Sequence, residues 1–285
     1  MLKNIKHLLE LSSEYNIPTE DLLLLDLNLS GVKLNLQSRR VRFELESTNK
    51  NIFSLSHSRN ISNFYLAIPT VDRSPYFFKN GNLFFDSHII GRAWGVTEDF
   101  CDSSYPRRGG TVLNINPNAR TSCRGCKFCY TFFQVPRDKE CILSDDKLRG
   151  FLDNWMKKFD VADLSHLMQI AIVTGCFPNE QEVVNFLRMA KNVLNKFLFK
   201  GELFYFGSQI KGEKALLELK EIKPFGICFS LECFDSKSRE YFLRDVKRDL
   251  SLNNIKKVLT FANDLGIRTN FSYIIGLEPL EIIEK

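Results

Sequence analysis

From residue 110 onward the sequence keeps one rhythm, and that rhythm constrains the fold more than any other feature. Extended apolar runs, "TVLNIN", "MQIAIVTG", "ELFYFG", "FGICFSLE" and "IRTNFSYIIG", alternate with segments whose apolar residues recur every three or four positions. In "EQEVVNFLRMAKNVLNKFL" the residues Val183, Val184, Leu187, Ala190, Val193, Leu194 and Phe197 form a single helical stripe. Ser144, followed by Asp145 and Asp146, supplies an N-cap and first-turn acids, and Gly266 a C-cap. Nearly continuous apolar strands alternating with helices are the mark of parallel βα units. Right-handed crossovers then give an α/β fold, either an open sheet or a barrel. In both, the loops after the C-terminal ends of the strands build the active site.

Residues 1–109 lack this rhythm and read as an N-terminal α+β region, with 110–285 as the core domain. Ile5, Leu8 and Leu9 mark a short amphipathic helix, and "VKLNL" and "VRFEL" are expected to pair as a hairpin. A second hairpin is expected in "PYFFKNGNLFF", where Asn80-Gly81 suits a two-residue turn with positive φ. No catalytic set is visible here, and His57, His88 and Trp94 read as packing or surface residues. With 44% hydrophobic and 26% charged residues over 285, the chain has the composition of a globular protein. No apolar run approaches the ~20 residues of a membrane span, and neither a membrane span nor a signal peptide is expected. Eight cysteines without a secretory signal indicate a reducing compartment, so a cytoplasmic location is expected. The net charge of +5 is scattered along the chain, which permits nucleic-acid binding without indicating it.

On the loop after the first strand of the core stands "NARTSCRGCKFCYT", with Cys123, Cys126 and Cys129 two residues apart. A bacterial ferredoxin run would place its fourth cysteine at Phe133 and a proline at Gln134. A zinc knuckle needs a second ligand pair at short range, whereas the next cysteine is Cys141 and His166 is farther still. Three thiolates around a cubane leave one iron without a protein ligand, open to a small molecule.

This arrangement resembles the radical S-adenosylmethionine superfamily, in which a [4Fe–4S] cluster binds S-adenosylmethionine at its fourth iron. The resemblance implies a partial (βα)6 barrel and reductive cleavage of the sulfonium to a 5′-deoxyadenosyl radical that abstracts hydrogen from substrate. The usual family spacing is C-x3-C-x2-C, and this sequence is one residue short in the first interval. Phe128 occupies the place of the family aromatic that packs by the adenine. Later motifs follow in order. "TGCFP" resembles the Gly-Gly-Glu-Pro turn, with Gly175 and Pro178 matching and Cys176 and Phe177 substituted. In "GICFSLECFDSKSREYFLRD", Ser230 and Glu232 fall on one face by strand alternation. The resemblance gives them the ribose hydroxyls or the ammonium to hold, and gives Arg244 the methionine carboxylate. "TNFSYIIGLEP" resembles the stretch whose backbone holds the adenine, with Ile274 and Gly276 in register, Ser272 where a glycine is usual and Glu278 one position early.

The resemblance spans about residues 110–285 and five of the six usual units, so a sixth is expected beyond Lys285 in a longer chain. It also implies an electron donor such as a flavodoxin or ferredoxin. It leaves the substrate open. Two other readings stay open as well: a four-ligand zinc or iron–sulfur module for binding or electron transfer that uses Cys141, and a radical enzyme acting on RNA. Cys101, Cys176, Cys228 and Cys233 read as plain core or surface thiols.

Overall fold

The computed structural model describes all residues except 35–37, 59–62, 100–104, 108–109, 119–125, 130–140, 174–176 and 285. The chain divides into two compact units, residues 1–100 with 106–110 and residues 101–105 with 111–285.

The first unit holds helices α1 (Ile5–Tyr15), α2 (Thr19–Ser30) and α3 (Ser54–Ser58). Its strands are β1 (Arg40–Ser47), β2 (Asn63–Pro69), β3 (Tyr76–Lys79), β4 (Asn82–Phe85) and β5 (His88–Glu98), in the sheet order β2-β1-β5-β4-β3. The Asn80-Gly81 hairpin forms as expected, because both residues take positive φ, 49° and 75°, and pair β3 antiparallel with β4. The other expected hairpin does not form. "VRFEL" lies in β1, whose partners are β2 and β5, while Val32 and Lys33 make only isolated bridges to Thr70 and Phe77. Alternation along β1 buries Val41, Phe43 and Leu45, and the inward face needed neighbours that the adjacent segment could not provide. In α1 the buried residue is Leu8, whereas Leu9 is 47% exposed, off the expected face.

The second unit is a mixed α/β fold on a parallel sheet. Each expected run is a strand: β7 (Val112–Ile115), β8 (Gln169–Val173), β9 (Glu202–Gly207), β10 (Phe225–Glu232) and β11 (Arg268–Tyr273). Neighbours from β7 to β11 pair in parallel and in chain order, with the short β6 (Tyr105–Arg107) beyond β7. Such an order has no reversal, so it lacks the switch point of a doubly wound sheet, and right-handed crossovers put every helix on one face.

The core agrees. Leu113, Ile170, Leu203 and Phe225 stand in register across four strands, as do Ile115, Ile172, Tyr205 and Ile227. These residues share one apolar cluster with helices α4 (Asp145–Phe159), α5 (Glu180–Lys196), α6 (Glu213–Leu219) and, past α7 (Ser236–Phe242) and α8 (Asp245–Arg248), α9 (Leu252–Asp264). The α5 stripe is buried from Val183 to Leu194, with Phe197 partly buried at its end. Ser144 caps α4 by accepting from Lys147 N, and Gly266 follows α9 at φ 74°. A last short helix, α10, covers Leu280–Ile283. Among the described residues no helix is long and apolar enough to cross a membrane.

Candidate functional site

The second and third cysteines of the motif sit on one turn. Cys129 N donates to Cys126 O at 3.0 Å, which closes a β-turn and brings positions 126 and 129 to within about 7 Å of one another. Cys123 and Gly175 lie outside the described residues. The turn belongs to the β7–α4 connection, at the C-terminal end of the sheet. It is seated there by its own backbone: Lys127 N donates to Phe242 O at 2.8 Å, and Lys127 Nζ stands 3.6 Å from the centre of the Tyr241 ring. Cys126, buried, shares a small apolar cluster with Cys233 and Leu243, against which Phe128, Cys129, Phe242 and Leu277 pack. Cys233, Phe242 and Leu243 follow the end of β10 and Leu277 the end of β11, so the fold gathers the motif onto the ends of two later strands. Cys141 precedes α4, half-buried, and none of the five described cysteines is in a disulfide.

The end of β10 departs from a plain strand. Ser230 pairs with Ser272, yet Glu232 pairs with Tyr273, so two residues, Leu231 and Glu232, stand against one. This bulge breaks the alternation that would carry Glu232 onto the face of Ser230. Glu232 takes φ 72°, a left-handed conformation that costs a residue with a Cβ about 1–2 kcal/mol. Its surroundings fix it: the carbonyl accepts from Ile274 N at 2.9 Å, and the carboxylate pairs with Lys247 Nζ at 2.7 Å, both side chains being largely buried. Arg244 is the N-cap residue of α8, one helical turn before Lys247. Ile274 has its N–H committed to Glu232, which leaves its carbonyl, and Gly276 has φ 97°.

Two residues hold this end together. Arg239, 5% exposed, donates to four carbonyls: Leu231 and Cys233 after the strand, Lys247 and Leu250 beyond, at 2.8–3.0 Å. Glu278 accepts from Phe234 N at 2.9 Å and Asp235 N at 2.6 Å. The Leu231 and Cys233 carbonyls go to a cation and the Phe234 and Asp235 N–H groups to an anion, so charge-assisted bonds hold a connection with little regular structure. Across the sheet, Gln209 brackets Phe177, accepting from its N at 3.0 Å and donating to its O at 2.8 Å, which steadies the residue that follows "TGC" in the sequence. Of these residues the sequence marked only Glu278, as a displaced match; Arg239 and Gln209 bond to backbone and leave no pattern to find.

The donor set suits a thiolate-held cluster with a polar ligand beside it. Two thiols share one turn, and buried polar atoms at the same end of the sheet, Asn118 Nδ2 and Ser272 Oγ among them, have no hydrogen-bond partner. Such orphans are expected where a ligand completes the bonding.

The sequence matches no known family profile and no curated protein. Among solved structures the chain is similar to a cobalamin-dependent S-adenosylmethionine radical enzyme, OxsB, with aqua-cobalamin bound, at a TM-score of 0.38 and 13% identity over 73% of this chain. The chain spans 31% of the length of that enzyme. So distant a likeness carries no argument, and the residues must.

Proposed function

We propose that this chain is a radical S-adenosylmethionine enzyme of a partial-barrel fold, holding one [4Fe–4S] cluster on Cys123, Cys126 and Cys129. The observation that carries the reading is the Cys126–Cys129 turn, two thiols presented together on the first βα loop and seated against the ends of β10 and β11. When bound, the cluster and S-adenosylmethionine supply a 5′-deoxyadenosyl radical for hydrogen abstraction from a substrate.

The chain's own part is to bind, orient and exclude water. Phe128, packed beside the two cysteines, offers a ring for the adenine, and the Ile274 carbonyl with the open backbone at Gly276 offers its hydrogen-bonding edge a partner. Ser230 and Glu232 serve the ribose or the ammonium, with Glu232 kept in place by Lys247. Arg244 serves the carboxylate through its planar fork, and the carbonyl of Gly175 accepts from the ammonium. A small reduced protein of the flavodoxin or ferredoxin kind delivers the electron.

The test is anaerobic reconstitution followed by electron paramagnetic resonance of the dithionite-reduced protein with and without S-adenosylmethionine. The expected result is a cluster signal that changes on addition, together with release of 5′-deoxyadenosine. No iron uptake, or uptake unaltered when Cys123, Cys126 and Cys129 all become Ala, overturns the reading. Loss of iron in Cys141→Ala as complete as in Cys126→Ala would show a fourth protein ligand and remove the open iron.

A further inference from the structure

The helices cover only one face of the parallel sheet, and the other face has a character of its own. Because Tyr205, Ile227 and their row mates point into the helix core, alternation sends Phe206, Cys228, Ser230, Asn270 and Ser272 the other way. Ser230 stands against Ser272, and Ser208 follows Gly207, the partner of Phe229. Three serines therefore lie abreast on three neighbouring strands at their C-terminal ends. Ser208 and Ser230 are 4% exposed, and the Ser272 Oγ is buried with no hydrogen-bond partner. Asn118, 6% exposed just past β7, has its Nδ2 unpartnered too. One step down the strands, Asn270 is exposed and Phe206 half-buried.

Charge on this face is spoken for among the described residues. The ionised groups that the five strands carry on this face are Glu202 and Arg268 at the far end, bonded to each other, while Glu232, taken off it by the bulge, is bonded to Lys247. A carboxylate or phosphate would find no open counter-charge on the strands. Hydroxyls would find serine oxygens and amides able to both donate and accept, with an aromatic face beside them. We propose that Ser272, Ser208 and Asn270 seat the substrate, and that the substrate is an uncharged, hydroxyl-rich molecule of the sugar class. The word substrate rests on the radical-enzyme reading; the binding itself requires neither cluster nor S-adenosylmethionine. Ser230, in the middle of the serine row, is where the cofactor's ribose and such a substrate would meet. A site made of buried hydroxyls rejects analogues that leave those groups unpaired, so selectivity for hydroxyls is the expected behaviour.

The experiment is saturation-transfer NMR on the full chain without cluster, using D-glucose as the probe and acetate and inorganic phosphate as charged controls. Glucose receives saturation, acetate does not, neither acetate nor phosphate competes with glucose, and affinity falls about tenfold in Ser272→Ala, the order expected for one lost buried hydrogen bond. Ser208→Ala, a second variant just past β9, weakens glucose similarly, and circular dichroism confirms that both remain folded. No transfer to glucose with folded wild type, a signal unchanged from wild type in both variants, or displacement by acetate overturns the proposal. Glucose binding in a chain that takes up no iron would sink the cluster reading and leave this one standing; a cluster without glucose binding would do the reverse.

Discussion

The two ends of the parallel sheet solve opposite problems. At the N-terminal end, Glu202 on β9 and Arg268 on β11 bond to each other across β10, at 2.7 Å from Arg268 Nε to Glu202 Oε1, while Gln169 on β8 donates to the other carboxylate oxygen at 2.7 Å. Gly226 lies under the pair: a Cβ there would stand 2.7 Å from Glu202 Oε1 and 3.0 Å from the Phe204 ring. Burial works against the Glu202 carboxylate, yet the bonds from Arg268 and Gln169 hold it below the usual range. Three strands are laced together there. At the C-terminal end, Arg239 and Glu278 bond the β10 loop, yet Asn118 and Ser272 keep polar atoms without partners and Glu232 keeps a strained φ. One end spends its polar groups on the fold; the other reserves some, as a face that meets ligands must.

The sharpest way to break this comparison is at the thiols. Cys126→Ala with Cys129→Ala should abolish iron uptake, a larger loss than the roughly 10–100-fold that changing an outer partner of a metal ligand costs. Thermal unfolding of the chain without metal should barely move. Unchanged iron would remove the functional assignment of this end.

Arg239→Met comes next. It strands four carbonyls in a buried loop, and destabilisation of about 3–5 kcal/mol by urea unfolding is expected, as when one partner of a buried charged network is removed. Because the turn bearing Cys126 rests on Phe242 and Cys233, iron affinity should fall with it. Glu278→Gln, which weakens the bonds to Phe234 N and Asp235 N, should cost about 1.5–3 kcal/mol. Arg239→Met with wild-type stability would show that the strap is incidental.

How much of this was legible depended on how far apart the partners are in sequence. The five strands announce themselves through continuous apolar runs, Asn80-Gly81 through the one turn chemistry that tolerates it, and the cysteines through their spacing. Pairing over long range left no such mark. β1 takes Ala93 opposite Leu45, far along the chain, so the adjacent "VKLNL" was the wrong partner. The bulge at Glu232 was hidden because no glycine stands at its positive φ, and the ion pair with Lys247 that steadies it crosses 15 residues. Arg239 finds carbonyls, which every residue has, and so nothing in the sequence marks it.

A smaller effect comes from pH. Burial, and next the nearby Glu232, push the Cys228 thiol up from 9.0 to about 11. The folded chain therefore holds that proton more tightly than the unfolded chain. This contribution is complete below pH 9 and is lost as pH rises through 11, so stability should have dropped by about 1 kcal/mol at pH 10. Cys228→Ser, which does not titrate there, should flatten that slope.

The smallest expected effect bears most directly on the difference between the ends. Arg268 is 52% exposed in its pair with Glu202, and exposed pairs are worth roughly 0–1 kcal/mol, so Arg268→Met should cost no more than about 1 kcal/mol. Gly226→Ala attacks the same network from beneath: the new Cβ must push the Glu202 carboxylate away, and since that group is the far end of a flexible side chain, the cost should again be modest. Neither change should alter iron uptake, since both sit at the opposite strand ends from the cysteine turn. If Arg268→Met instead depressed iron binding while stability held, the two ends would be coupled through β10 and β11, and the division of labour between lacing and binding would fail.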